Sequence, residues 1–178
     1  ITKGAFVSAW NNWYHVNGHT YGTWLPGDRR GWRTRHHKDH IPWDYRNPPP
    51  PGQGQGLYQR SKESLTRPSV YLNPDQRVIA GEALLQKCQD LEAEVIALSV
   101  DAVHFHLLGR FGPGDVRRVI GRAKKHASFL LTDIQGGVWG KRCHIASIKN
   151  RSHQVRTFRY ILKHADSGAW TWSVCETI

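Results

Sequence analysis

The hydrophobic pattern along the chain switches between a two-residue and a 3.6-residue period, and the switches predict four strands and three helices. Trp13 to Trp24 reads as a strand rich in Trp, Tyr, Val and Thr, the end of a strand-like region from Ala5, and Leu25-Pro26-Gly27-Asp28 closes it with turn residues. Asn73-Pro74-Asp75 starts a helix that runs to about Leu91, with Val78, Leu85 and Leu91 turned inward. Ala93 to Val100 predicts a second strand, and Val100 to Leu108 a third, ended by Gly109 and the turn Gly112-Pro113-Gly114. Asp115 caps the next helix, on which Val116, Val119, Ile120, Ala123, Ala127, Leu130 and Leu131 make an apolar stripe. Gly136-Gly137 leads into a strand-like run from Val138 to Ile148, and a last helix spans about Ser152 to Ala165, closed near Gly168. Between Gly27 and Pro68 neither period survives. A basic cluster from Arg29 to Lys38 and then Pro48-Pro49-Pro50-Pro51-Gly52 predict a long, irregular surface excursion with a stiff polyproline piece.

Two polar residues interrupt the third strand at alternate positions. His104 and His106 share one face of it, with Phe105 on the other. Neutral imidazole is the commonest metal ligand, although a His-x-His pair also serves as ordinary hydrogen-bonded surface. His15 and His19 share parity on the first strand and are further candidates, with Gly18 between them as a bulge position. On the last helix, at about 100° per residue, Val155, Phe158, Leu162 and Ala165 form the stripe expected to be buried. Tyr160 and His164 fall off that stripe and stand one above the other as an i, i+4 pair. The imidazole of His164 offers a third nitrogen to the two on the strand, and three protein ligands with open positions is the arrangement of a catalytic metal.

Charge changes the picture more than size does. The 178 residues carry a net charge of +11, and from Arg110 to Ala165 there are 13 Lys or Arg against 2 acids. That asymmetry points to an anionic polymer, nucleic acid ahead of membrane, because no polybasic tail or membrane-length apolar run is present. The basic helix carries Arg117, Arg118, Arg122, Lys124 and Lys125, joined by Lys141, Arg142, Arg156, Arg159 and Lys163 as candidate DNA contacts. Trp139, one of 8 tryptophans, is a candidate for stacking on a base. Cys88, Cys143 and Cys175 are widely spaced and odd in number, which with no visible secretory segment predicts reduced thiols and a cytoplasmic setting, nucleoid-associated where the chain binds DNA.

His104-Phe105-His106 resembles the His-hydrophobic-His signature of HUH single-strand endonucleases. A histidine strand followed by one tyrosine on a helix near the C-terminus is similar to the single-tyrosine transposases and their REP-associated relatives, over much of residues 90 to 165. The resemblance implies an α+β fold, with a ferredoxin-like antiparallel sheet, helices packed mainly on one face and His-x-His on a central strand. It also implies that Tyr160 is the nucleophile of a transposase or endonuclease that cuts and rejoins single-stranded or hairpin DNA through a 5′-phosphotyrosine. His104, His106 and His164 would then hold Mg²⁺ or Mn²⁺, with Zn²⁺ a further occupant; the position of His164 is commonly an amide residue in the family. A free tyrosine titrates near about 10, so Tyr160 is expected to need the cations beside it.

The resemblance leaves open whether the protein is a monomer or homodimer. The excursion at 27–68 exceeds the family's usual connection, and its role is not carried over. Tyr160-Ile161-Leu162-Lys163 is also similar to the Tyr-x-x-Lys of rolling-circle replication initiators, which nick by the same chemistry. A non-catalytic nucleic-acid binder on the same fold and a metal-dependent hydrolase without a covalent step are the readings from other classes.

Overall fold

The computed structural model describes residues 9–33, 40–41 and 50–174. The predicted strands and helices are present as β1 (Trp13–Thr20), α2 (Pro74–Asp90), β4 (Glu94–Val100), β5 (His104–Arg110), α3 (Val116–Leu130), β6 (Trp139–Ser147) and α4 (Arg151–Leu162). Three further strands and a helix carry no clear period. A two-residue ladder joins β2 (Trp32–Arg33) to β3 (His40–Ile41), α1 (Gln55–Glu63) lies in the stretch read as irregular, and β7 (Trp170–Ser173) follows a 3-10 turn at Lys163–Ser167. Arg35, His36, His37 and Lys38, the prolines Pro48 and Pro49, the segment from Ala5 to Ser8, and Cys175 lie outside the described residues.

The main sheet is antiparallel throughout, in the order β6-β1-β5-β4-β7. The run β1-α2-β4-β5-α3-β6 with this order is the ferredoxin-like βαββαβ arrangement, extended at one edge by β7. Sheet pleat decides the layers. Phe105 and Leu107 point to the α2 and α3 side and join Val16, Leu98, Val100, Leu84, Ile120 and Ala127 in the larger core. His104 and His106 therefore point the other way, where Phe158 and Ile161 of α4 pack against Trp13, Ala97 and Leu108.

Local chemistry accounts for most boundaries. Asn73 accepts from the Gln76 N–H while the Gln76 side chain accepts from the Asn73 N–H, a complete capping box with Pro74 at the first helical position. Asp115 stands at the N-terminus of α3 but makes no side-chain cap; its carboxylate takes the Arg118 Nε–H at 2.9 Å instead. Val78 is exposed, and α2 turns Ala80, Gly81, Ala83, Leu84 and Cys88 inward, with Leu85 and Leu91 only partly covered. Burial pushes the Cys88 thiol up to about 12, which keeps it protonated and inert. Gly81 is where Trp170 of β7 lies on the helix; a Cβ there would fall 2.1 Å from its ring.

Gly18 has the same function on β1. It sits opposite Phe105, and a Cβ would lie 2.5 Å from that ring, which is fully buried and edge-on to Trp139 at 5.1 Å. Gly18→Ala is expected to destabilise the fold by about 1–3 kcal/mol through overpacking, read as a lowered thermal midpoint. An unchanged midpoint would mean that Phe105 has room to move.

Candidate functional site

Three histidines from two elements converge on the sheet face opposite α2 and α3. From β5, His104 is partly covered and His106 is only 4 % exposed; from the 3-10 turn after α4 comes His164. One ligand nitrogen from each lies within 4.8 Å of the other two. The rings of His104 and His106 are 4.7 Å apart, His104 and His164 5.3 Å, and His106 and His164 4.7 Å.

Each ring on β5 has its other nitrogen engaged. The Asp101 carboxylate lies 2.7 Å from His104 Nδ1, and its Oδ1 also accepts from the Val103 and His104 N–H groups. His15 Nε2 lies 3.0 Å from His106 Nδ1. In the tautomer where Nδ1–H donates to these partners, Nε2 of both rings keeps its lone pair, as metal-binding imidazoles do when the other nitrogen is held by a neighbour. His164 Nε2 is buried and has no hydrogen-bond partner among the described residues. A buried nitrogen left alone costs free energy unless something binds it, so the donor set fits a divalent cation.

The electrostatics agree. Burial, and then His104, His15 and His164 around it, push His106 down to about 2. Burial and the neighbouring His144, His153 and His164 push His15 down to about 4, and His164 is lowered by burial and His104. These imidazoles are therefore neutral near pH 7, the form that binds metal. For Asp101, burial alone would raise the carboxyl, but hydrogen bonds from His104 and Val103 outweigh it and hold the group at about 2. It is the anion beside the histidine cluster.

Asp101 belongs to the site but is absent from the sequence prediction. It sits at the β4–β5 turn, where an acid three residues before a histidine is easily read as turn chemistry alone. Asp101→Asn retains an Oδ1 acceptor for the turn but presents an N–H donor to His104 Nδ1, forcing the proton onto Nε2. Metal affinity is expected to fall about 10–100-fold, measured by calorimetric titration with Zn²⁺ and Mn²⁺. Wild-type affinity would show that the carboxylate does not set the tautomer.

Tyr160 faces this cluster. Its ring lies 5.0 Å from that of His164, 5.2 Å from His106 and 6.1 Å from His15, and the residue is 43 % exposed. The buried face of α4 is Gln154, Thr157, Phe158 and Ile161, rotated from the expected stripe; Val155 and Leu162 are half-buried and Ala165 is exposed. The helix packs through polar residues that a hydrophobic pattern does not count. His164 also lies beyond the α-helix proper, on the 3-10 turn, yet the two rings remain neighbours. The expected help from nearby cations is missing: burial, and then Asp101, raise the Tyr160 phenol above its usual range.

The candidate DNA contacts divide. Arg156 and Arg159 are exposed on α4, and Lys163 is exposed at the start of the 3-10 turn that carries His164. Arg117, Arg118, Arg122 and Lys125 are exposed on α3, which packs on the opposite face of the sheet, and Arg118 pairs with Asp115. Lys124 is withdrawn from that set. It is 9 % exposed, and its ammonium donates to the Gly140 carbonyl at 2.6 Å, with the Arg142 carbonyl at 3.5 Å. Between the pairs Gly18–Cys143 and Thr20–Trp139, β6 has two residues more than β1, and Lys124 holds that bulge from below. Lys141 and Arg142 stand exposed on the bulge. Trp139 is likewise a core residue, 9 % exposed and edge-on to Phe105, so its face is not free to stack on a base. His19 is near His104, at 6.1 Å between rings, but packs closer to Trp24, at 4.4 Å.

The ferredoxin-like sheet with three histidine nitrogens on its central strand and the neighbouring helical turn is the arrangement that the HUH resemblance calls for. Among the described residues, no helix is long and apolar enough to cross a membrane. No protein-family model matches the chain, and no curated protein matches it significantly. Among solved structures, the chain is similar to one described as a REP-associated tyrosine transposase bound to a REP hairpin, at 12 % identity and a TM-score of 0.49, over 94 % of this chain and 74 % of that one.

Proposed function

We propose that the chain is a metal-assisted single-strand DNA endonuclease and strand transferase, with Tyr160 as the nucleophile. The observation that carries this reading is the position of Tyr160: half-exposed, on a helix whose core contacts are made by other residues, with its ring among those of His15, His106 and His164. A tyrosine needed only for packing has no reason to stand there.

The phenol is protonated at neutral pH, so its proton leaves as attack proceeds rather than before it. Oη forms a bond to phosphorus, the bond from phosphorus to O3′ breaks, and the departing oxygen takes up a proton as a free 3′-OH. The ester formed is a 5′-phosphotyrosine, which conserves the bond energy, and a second strand's 3′-OH reverses the step and rejoins DNA. His104, His106 and His164 would hold a divalent ion, which when bound would supply positive charge to a scissile phosphate. Mg²⁺ or Mn²⁺ is what the family resemblance implies, while three imidazole nitrogens suit Zn²⁺ equally. Asp101 and His15 hold the two strand ligands in the productive tautomer. Arg156, Arg159 and Lys163, with Lys141 and Arg142 at the sheet edge, supply cations for the strand's backbone. Arg117, Arg118, Arg122 and Lys125 serve only DNA that reaches round that edge.

The test is a mass measurement. Protein incubated with a panel of single-stranded hairpins and Mg²⁺ or Mn²⁺ gains the mass of a DNA fragment, and the modified peptide contains Tyr160. Cutting with no trapped adduct would favour a hydrolase; binding without cutting would favour a non-catalytic binder.

A further inference from the structure

The excursion between β1 and α2 builds a polar hollow beside the histidine centre, and we propose that this hollow seats an unpaired nucleotide of the DNA strand, flanking the one that is cut. The inference rests on the DNA reading above and gives the excursion a function.

The hollow has a volume of about 190 Å³ and is lined by Thr23, Arg30, Tyr58, Lys62, Tyr71 and Val103, among others. Val103 is the residue before His104, so the hollow opens next to the strand that carries the ligands. A run of contacts connects the two: Arg30 lies over the Trp24 ring at 4.4 Å, Trp24 meets His19 at 4.4 Å, and His19 meets His104 at 6.1 Å. The volume is below the roughly 300–1,000 Å³ that encloses a drug-sized molecule, and suits one base or one phosphate of a longer chain.

Its chemistry is that of a strand-binding surface. Among the described residues no carboxylate lines it, while Arg30 and Lys62 do. Arg30 is fixed by Asp28 through Nε and Nη2 and by the Thr23 carbonyl, while Lys62, exposed on α1, has no acidic partner among the described residues. Tyr71 is 67 % exposed, far more than packing asks of a ring that size, and Tyr58 is also exposed. Stacking on aromatic faces next to a cation is how unpaired nucleotides are held without sequence preference.

The walls are held in place. Gly27, with φ of +88°, touches the start of α1 so closely that a Cβ would fall 2.3 Å from the Tyr58 nitrogen and 2.4 Å from the Gly54 oxygen. The turn after β1 and the helix carrying Tyr58 and Lys62 are therefore locked together. Tyr71 and Ser69 also border a second hollow of about 570 Å³, floored by Arg67, which stacks on Tyr21 at 3.9 Å. Tyr71 is thus a ridge between two openings, placed to part successive bases.

The experiment uses the whole chain and a fluorescein-labelled oligothymidylate, intact or with one abasic site moved along it, with binding read by anisotropy. Wild type is expected to lose about tenfold in affinity when the abasic site reaches the hollow. The Lys62→Ala/Tyr71→Ala protein, altered only at exposed side chains, is expected to bind the intact strand about tenfold more weakly and to be indifferent to the abasic site. Wild-type affinity in the variant, or an equal abasic penalty in both proteins, overturns the proposal. If that happens while wild type still forms the Tyr160 adduct, only the hollow's role falls. If wild type binds no single strand at all, the DNA reading falls with it.

Discussion

Tyr160→Phe is expected to bind single-stranded DNA within a few-fold of wild type and never to gain DNA mass. The substitution removes one oxygen and leaves the ring that lies against His106, His164 and His15. Affinity for a strand comes mainly from cations meeting phosphates, and none is altered. Chemistry, by contrast, has no substitute for Oη. Among the described residues, no other tyrosine stands against the histidine cluster: Tyr14 packs on Phe111, and Tyr21 bonds to Thr66. The loss of adduct should therefore be complete. A Tyr160→Phe protein that cut a labelled strand at the wild-type rate would end the covalent mechanism.

His106→Ala should have the second-largest effect, and should show it in two separate measurements. Its first consequence is for the metal. Removing a ligand is expected to cost more than the about 10–100-fold that loss of a supporting residue costs, and adduct formation should disappear with it while most DNA affinity remains. The second consequence needs no metal. A histidine held neutral by the fold binds fewer protons folded than unfolded, so its contribution is fully present above its unfolded pKa of about 6.5 and is lost as pH falls toward the folded value. For wild type that window runs from about 6.5 down toward about 4 for His15 and about 2 for His106. Metal-free His106→Ala should lose less stability than wild type between pH 6.5 and 4, seen in denaturant midpoints across that range. Parallel pH profiles would show that His106 is not buried uncharged.

Much of this architecture was legible from periodicity, because β1, β4, β5, α2, α3 and α4 each have an apolar face that meets one of two cores. The histidine strand was legible for a related reason: the pleat alone puts His104 and His106 on one side and Phe105 on the other. What periodicity does not report is which face of the sheet a helix covers. The cations of α3 were therefore grouped with the site, although the helix packs behind Phe105. Lys124 shows the same limit within one helix, since its stem is buried and its charge closes a β6 bulge that no local pattern announces. α1 has no buried residue, so there was no stripe to read, and β7 is four half-buried residues whose partner lies over seventy positions earlier. Asp101 was hidden in plain view, because its role depends on which nitrogen of His104 it holds.

The last strand has one more consequence. After α4 the chain turns back and β7 pairs with β4, so the helix that carries Tyr160 is tied at both ends to the sheet that carries the histidines. To lend that helix to a neighbour, a molecule would first have to unzip an edge strand, with Trp170 packed over Gly81. Within this chain the Tyr160 ring is thus held against the His106 and His164 rings by an edge strand that comes after them all in the sequence.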